Sequence, residues 1–275
     1  MKEHGVYIII LHHTQRPTRC VRRVLRHLRK ASSAHRMHVE VIIQGNASDV
    51  DFLYKGKPPF ELVRIDNNRN LGMGRPITDA TNRFMDSDYR WFMRLDDDIE
   101  LNTGVIDKAI KLLERKQEEG SKIDRVMIAN QFSKPVMFKL EKKQGDQPLL
   151  IFERGKCIEK GVNRKTGKAR WFMCDFVDTG CTIFDKEAIR AGCRPDPQFF
   201  VGAFSDDYGW NAHLLGFKSL LYAGSRVNHF ARECRSEGHE RVRRSTRLVR
   251  ENSAKFAKKW NVQPAGTIEF KSRYK

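Results

Sequence analysis

No apolar stretch in this 275-residue chain is long enough to cross a bilayer. Its longest runs, such as Val6-Tyr7-Ile8-Ile9-Ile10-Leu11, fall far short of the roughly 20 residues a spanning helix needs. There is no low-complexity tract and no internal repeat. Met1-Lys2-Glu3-His4-Gly5 leads straight into a strand-like run, so no secretory leader is expected and a cytoplasmic setting follows as an expectation. The six cysteines (Cys20, Cys157, Cys174, Cys181, Cys193, Cys234) form no CxxC pair. That removes zinc-finger spacing, and a chain of this size does not need a disulfide framework. Reduced, mostly buried thiols are expected.

Acid is scarce relative to base: 34 Asp and Glu against 52 Lys and Arg, a formal net charge of +18. The surplus is uneven. Residues 226–275 carry 14 basic and 5 acidic side chains, 14 − 5 = +9. A second cluster is Arg19, Arg22, Arg23, Arg26, Arg29 and Lys30. Such surfaces attract polyanions, whether nucleic acid, anionic lipid or nucleotide phosphate. A solvated surface that merely aids solubility is the plainer alternative.

Hydrophobic periodicity alternates between strand and helix through the first half. Val6–Leu11, Val39–Ile43, Phe60–Ile65 and Trp91–Leu95 read as strands. Thr18 is placed to cap a helix in which Val21, Val24, Leu25 and Leu28 share one face. Arg75–Met85 and Thr103–Glu119 read as helices, the second ending at Gly120. This β-α-β-α order predicts a largely parallel sheet with helices on both faces, and ligands then bind beyond the strands' carboxyl ends. Further on, Val136–Leu140, Leu149–Phe152, Arg170–Val177, Cys181–Phe184 and Lys218–Tyr222 read as strands. Asp206–Leu215 reads as a helix, and Gly238–Trp260 as a basic amphipathic helix with Val242, Val249 and Phe256 at seven-residue steps.

Against this basic background, Asp96-Asp97-Asp98 directly follows the strand run ending at Leu95. Clustered carboxylates at a strand end supply hard oxygen ligands for Mg²⁺ or Mn²⁺, with positions open for a phosphate. Four segments fall in a telling order: Thr14-Gln15-Arg16 after the first strand, Asn70-Leu71-Gly72 followed by Arg75, Asp96–Asp98, and a long stretch from Asp178-Thr179-Gly180-Cys181 through Ser205-Asp206-Asp207-Tyr208-Gly209-Trp210 to Asn228-His229. With Val41–Asp49 and Asn252–Trp260, the set resembles the family 2 glycosyltransferases of the GT-A fold over roughly residues 5–262.

The resemblance implies a GT-A (Rossmann-like) α/β fold: a mixed, mainly parallel sheet flanked by helices, with a basic C-terminal helix. Residues 1–237 would form the catalytic domain. Residues 238–275 would form the basic helix and tail, packed on it or extending from it. It implies a nucleotide-sugar donor, a UDP-sugar favoured, and Mn²⁺ or Mg²⁺ to bridge the diphosphate and absorb the leaving group's charge. In the family pattern Asp98 is the direct metal ligand, Asp96 faces the ribose or a metal-bound water, and His229 completes the metal shell. Asp97 is a neighbouring or solvated acid. Thr14, Arg16, Gln44, Asn70, Gly72 and Arg75 fall at nucleotide-contacting positions. Gln44 stands where members often carry an Asp that holds the base, with Asp66 able to share that role, and Arg69 is a further phosphate candidate. Asp207 matches the general base and Asp206 is its reserve, the register being open by one residue. Either could instead cap the following helix.

The implied reaction is direct displacement with inversion. Its acceptor is either nucleic acid, such as a hydroxymethylated base in DNA as in phage-type DNA-modifying glycosyltransferases, or a lipid-linked or cell-surface glycan. Nucleic acid is favoured by the basic tail. A nucleotidyltransferase is the competing enzyme class, but Leu11–Pro17 lacks the glycine-rich loop it would use. A two-metal nuclease and a non-catalytic nucleic-acid-binding module complete the alternatives, and the latter leaves the acid cluster idle.

Overall fold

Side chains of the first strand sort by parity between two apolar layers: Val6, Ile8 and Ile10 enter one, Tyr7 and Ile9 the other. That is the period of two expected of a strand covered on both faces. The coordinates are a computed structural model and describe residues 5–46, 57–142, 147–178, 180–200, 203–225, 227–234 and 246–264.

In chain order the elements are β1 (Val6–His13), α1 (Thr18–Ala31), β2 (Met37–Gln44), β3 (Glu61–Asp66), α2 (Gly74–Asp86), β4 (Trp91–Asp96), β5 (Ile99–Glu100) and α3 (Val105–Glu118). Then come β6 (Ile123–Ile128), β7 (Val136–Glu141), β8 (Leu149–Arg154), β9 (Glu159–Val162), β10 (Ala169–Cys174) and β11 (Cys181–Asp185). The chain continues through α4 (Lys186–Arg190), α5 (Phe204–Leu214), β12 (Lys218–Tyr222), β13 (Asn228–His229), a 3₁₀ turn (Ala231–Cys234), α6 (Thr246–Trp260) and β14 (Gln263–Pro264).

The main sheet has nine strands in the order β3-β2-β1-β4-β11-β6-β12-β10-β9. Strands β3, β2, β1, β4, β6, β12 and β9 point one way, and β11 and β10 oppose them. This is the mixed, mainly parallel α/β sheet that the sequence predicts. Helices α1 and α3 cover one face through Val24, Leu25, Leu28, Ile106, Ile110 and Leu113. Helices α2, α4, α5 and α6 supply Ile77, Phe84, Ile189, Phe204, Tyr208 and Phe256 to the other. Cutting Leu25 to Ala removes a fully buried side chain and costs about 2–5 kcal/mol. The chain winds outward from β1 to β2 and β3, then returns to β4 on the other side of β1. Such a reversal opens a crevice at the strands' carboxyl ends, and Asp96 terminates β4 there.

Two expectations need correction, and a third falls partly outside the described residues. Thr18 does not cap α1. Pro17 holds the cap position with φ −61°, its carbonyl accepting from the Cys20 amide at 3.0 Å. The proline ring presets that turn, and no side chain is needed. Second, the thiols are not all free: Cys20 and Cys234 form a disulfide with Cα atoms 6.1 Å apart. Their separation of 214 residues hid the pairing, which arises because β13 pairs with β5 beside α1 and carries the following turn across it. Among the other cysteines, Cys174, Cys181 and Cys193 are buried free thiols, and burial pushes Cys174 and Cys193 up to about 12. Third, the C-terminal helix is described only from Thr246, so Val242 lies outside the described residues. The helix buries Phe256 and leads into β14, which pairs with β8. Among the described residues no helix is long and apolar enough to cross a membrane.

Candidate active site

Register between β1 and β4 places Leu11 opposite Asp96, so the residues just beyond meet one another. His12 Nδ1 donates to Asp97 Oδ2 at 2.7 Å. Arg16 spans two acids, its Nη1 on Asp97 Oδ1 and its Nη2 on Asp98 Oδ2 at 2.7 Å. Arg16 Nε also donates to the Cys234 carbonyl at 3.1 Å, so the disulfide-bonded turn helps to aim the guanidinium. Asp97 is 1% exposed. It is a buried anchor rather than the solvated acid that was the alternative, because His12 and Arg16 saturate it. Asp96 turns the other way, accepting from Arg94 Nη2 at 2.8 Å. A side chain at position 180 would place its Cβ 2.6 Å from Asp96 Oδ2, which explains the glycine there. Crowding by protein and the nearby Asp98 and Asp178 carboxylates raise the Asp96 pKa against the pull of Arg94.

His229 reaches this edge on the short β13–β5 pair. His229 lies opposite Ile99, and the Phe230 amide donates to the Asp98 carbonyl at 3.0 Å. The imidazole Nε2 is then 3.1 Å from Asp98 Oδ1, an oxygen that accepts no other bond among the described residues. Burial alone would push Asp98 up, but His229 and Arg16 outweigh it and hold the carboxyl well below the usual range. Adjacent ligands of a six-coordinate ion with bonds near 2.1 Å lie about 3 Å apart. The Asp98–His229 pair therefore has the spacing of two neighbouring ligands, and carboxylate with imidazole suits Mn²⁺. Among the described residues no three such groups converge on one point. An ion here would take the rest of its shell from phosphate and water, as phosphate-bound Mg²⁺ does.

The predicted nucleotide contacts divide. Gln44, 3% exposed, is engaged internally: Nε2 donates to the Gly72 carbonyl at 2.8 Å and Oε1 accepts from the Leu71 amide at 3.0 Å. It shapes the Asn70–Gly72 loop. Asn70 Oδ1 accepts the Gly72 amide at 2.9 Å. Gly72 has φ +72°, and a Cβ there would sit 2.3 Å from the Phe200 carbonyl. Thr14 donates its amide to the Gln44 carbonyl at 3.0 Å. Arg75 is exposed and pairs with Asp79 one turn along α2. Arg64 holds Asp66 at 2.7 Å.

Asp206 and Asp207 lie in the first turn of α5, where the helix dipole favours anions. Neither caps it, since Ala203 holds the cap position. Asp207 is met by α6. Trp260 Nε1 donates to its Oδ1 at 2.7 Å, and Lys259 Nζ lies 2.8 Å from the same oxygen. Burial raises the Asp207 pKa, opposed by Lys259 and Trp260. Lys259 also pairs with Asp196 at 2.7 Å, in the loop that packs under Gly72 and Gly74. Ser205 Oγ is 3.3 Å from Asp178 Oδ1, and Asp178 in turn raises Asp96, so α5 begins beside the acid cluster. The structure thus gathers Arg16, Asp96, Asp98 and His229, places the α5 acids on a neighbouring wall, and leaves Arg75 on the surface. Sequence reasoning missed His12, Arg94, Lys259 and Trp260. For His12 the signal was present: it sits near the end of the strand beside the one that leads into the acids.

No family model matches the sequence, and no curated protein does. Solved structures do. Staphylococcus aureus TarS in complex with UDP-GlcNAc overlays with a TM-score of 0.53 at 10% identity, over 92% of this chain and 65% of that one. Its complex with UDP overlays with a TM-score of 0.51 at 10% identity, over 82% and 60%. A longer TarS chain overlays with a TM-score of 0.52 at 11% identity, over 82% and 36%. The chain has a GT-A-like fold. It spans less than two thirds of the length of these three TarS chains.

Proposed function

We propose that this chain is a nucleotide-sugar-dependent glycosyltransferase of the family 2 type, taking a UDP-sugar and transferring its sugar to an acceptor hydroxyl with inversion. The fold supports this reading through its likeness to TarS, a glycosyltransferase with UDP-GlcNAc bound in one structure. The observation that carries it is the approach of Asp98 and His229 to 3.1 Å at the carboxyl end of β4, with Asp96 alongside. Those two side chains would hold Mn²⁺ or Mg²⁺, and Asp96 would face the ribose or a metal-bound water. The ion would supply Lewis-acid stabilisation of the departing diphosphate. Arg16 and His12 do the positioning: they fix Asp97 and one oxygen of Asp98 so that the other stays aimed at His229. Gln44, Asn70 and Gly72 shape the loop bordering the crevice, and Thr14 secures the end of β2. Asp207 would take the acceptor's proton, with Asp206 as the alternative, and its raised proton affinity suits that task.

The acceptor in this reading is polyanionic, a hydroxymethylated base in DNA ahead of a lipid-linked glycan, on the strength of the basic surface. Residues 1–237 would form the catalytic unit with the C-terminal helix packed on it. A cytoplasmic setting belongs to the same reading, and the Cys20–Cys234 bond is the feature that tests it, since disulfides persist in oxidising compartments. The deciding assay follows UDP release from UDP-sugars with Mn²⁺, with chelator, and with Asp98→Ala. Release with Mn²⁺ alone is expected, and full activity in excess chelator or in the variant overturns the proposal. Radiolabelled sugar appearing on lipid-linked acceptors and not on hydroxymethylated DNA reverses the acceptor assignment.

A further inference from the structure

Helix α1 carries no acid and presents a row of arginines to solvent. Its inner face, Cys20, Val21, Val24, Leu25, Leu28 and Ala31, is fully occupied in the core. On the outer side Arg19, Arg26, Arg29 and Lys30 are exposed, with Arg22 half-buried among them. At 100° per residue these side chains fall within an arc of about 100°, and from Arg19 to Lys30 they rise about 16 Å along the axis. Several exposed cations on other elements find acids: Arg75 meets Asp79, Arg247 meets Glu251, Lys139 meets Glu141. Arg23, on the flank of α1, turns aside to Glu100 and Glu233. Arg19, Arg26, Arg29 and Lys30 make no ion pair among the described residues. The row begins three residues beyond Arg16, which grips the candidate active-site acids. It continues where the Gly104 amide donates to the Lys30 carbonyl at 2.9 Å, and α3 then adds exposed Lys108 and Lys111.

We propose that this arginine row is the docking track for a single strand of nucleic acid that runs along α1 towards the acid cluster. About 16 Å of track is long enough to meet several successive phosphates of one strand, each within reach of a flexible guanidinium. A membrane surface fits poorly: interfacial helices bury an exposed apolar face in lipid, and the apolar face of α1 is already used by the core. The acceptor role of the strand rests on the transferase reading above, but the docking itself does not.

The test measures fluorescence anisotropy of a labelled oligonucleotide of about 20 nucleotides against salt, without donor sugar. The variant is Arg19→Ala/Arg26→Ala/Arg29→Ala. Its control, Lys160→Ala/Arg164→Ala/Lys165→Ala, removes the same charge from the exposed β9–β10 hairpin. The α1 variant is expected to bind about tenfold more weakly or worse, with the salt slope reduced by about 2, three cations at about 0.7 each. The hairpin variant should change less than twofold. Equal losses in both variants, no loss in the α1 variant, or α1-dependent binding to phosphatidylserine vesicles without oligonucleotide binding would each overturn the track. UDP-GlcNAc binding, followed by calorimetry on the same proteins, should be unaltered by the α1 changes. Failure of wild type to bind any UDP-sugar counts against the transferase reading and leaves the track standing.

Discussion

Two walls border the candidate site, one carrying Asp98 and the other Asp207, and their surroundings drive these two carboxyls in opposite directions. Asp98 lies in the turn just beyond β4, is flanked by Arg16 and His229, and is held as a carboxylate. Asp207 opens a helix, is met by Lys259 and by the indole N–H of Trp260, and burial raises its proton affinity. Identical side chains are thereby fitted to different work. A carboxylate with lowered proton affinity suits a cation and a phosphate, whereas one with raised affinity suits proton transfer. Opposed shifts of this kind are how one site runs acid–base chemistry beside a fixed anion.

Breaking the first wall should have the larger effect. Asp98→Ala leaves Arg16 and His229 facing each other without their shared anion. Sugar transfer should fall by about 10³-fold or more, on the scale of losing a main electrostatic stabiliser. Asp207→Asn keeps the shape and both hydrogen-bond partners but cannot accept a proton. Turnover should drop by about 10²–10³-fold while donor KM stays near its original value. If Asp207→Asn retains full turnover and Asp206→Asn does not, the base is Asp206 and the contrast moves by one residue.

The first wall was legible in the sequence and the second only in part. Asp96–Asp98 follow a strand whose apolar run announces it, and β1, β2, β4 and β12 follow from the same periodicity. Strand β6 was invisible because Asp124 and Arg125 interrupt its pattern. Both are fully buried: Asp124 accepts from Ser219 Oγ at 2.9 Å, and the Arg125 guanidinium lies 4.6 Å from the Tyr208 ring. Buried charge breaks the apolar signature that marks a strand. Strands β5 and β13 have two residues each, too few for any periodicity, yet they bring His229 to Asp98. Lys259 and Trp260 are 52 and 53 residues from Asp207, and only the return of α6 onto the domain joins them.

The disulfide reinforces the first wall alone. It ties α1 to the turn that follows His229, and the Cys234 carbonyl receives Arg16 Nε. Cys234→Ser should destabilise the fold by about 2–5 kcal/mol, the range for losing a native cross-link that closes a long loop. Thermal unfolding with and without reductant reads this: wild type should shift and the variant should not. Thiol titration of the unfolded, unreduced chain should find six less two, four reactive cysteines. A count of six shows that the bond does not form in the purified protein.

The smallest change tests the second wall most directly. Lys259 pulls the Asp207 pKa down against burial, so Lys259→Ala should let it rise further. A general base must be ionised to work, and activity is therefore lost as the pH falls through its pKa. The acid limb of the rate profile should lie above the ordinary aspartate value in wild type and move to still higher pH in Lys259→Ala. Turnover on the alkaline plateau should change only a few-fold. The sign separates the two walls, because removing a cation from a metal-ligating carboxylate would alter the apparent affinity for Mn²⁺ rather than the position of the acid limb. An acid limb that stays fixed in Lys259→Ala while the Mn²⁺ requirement shifts would place Asp207 with the anions of the first wall and erase the contrast between them.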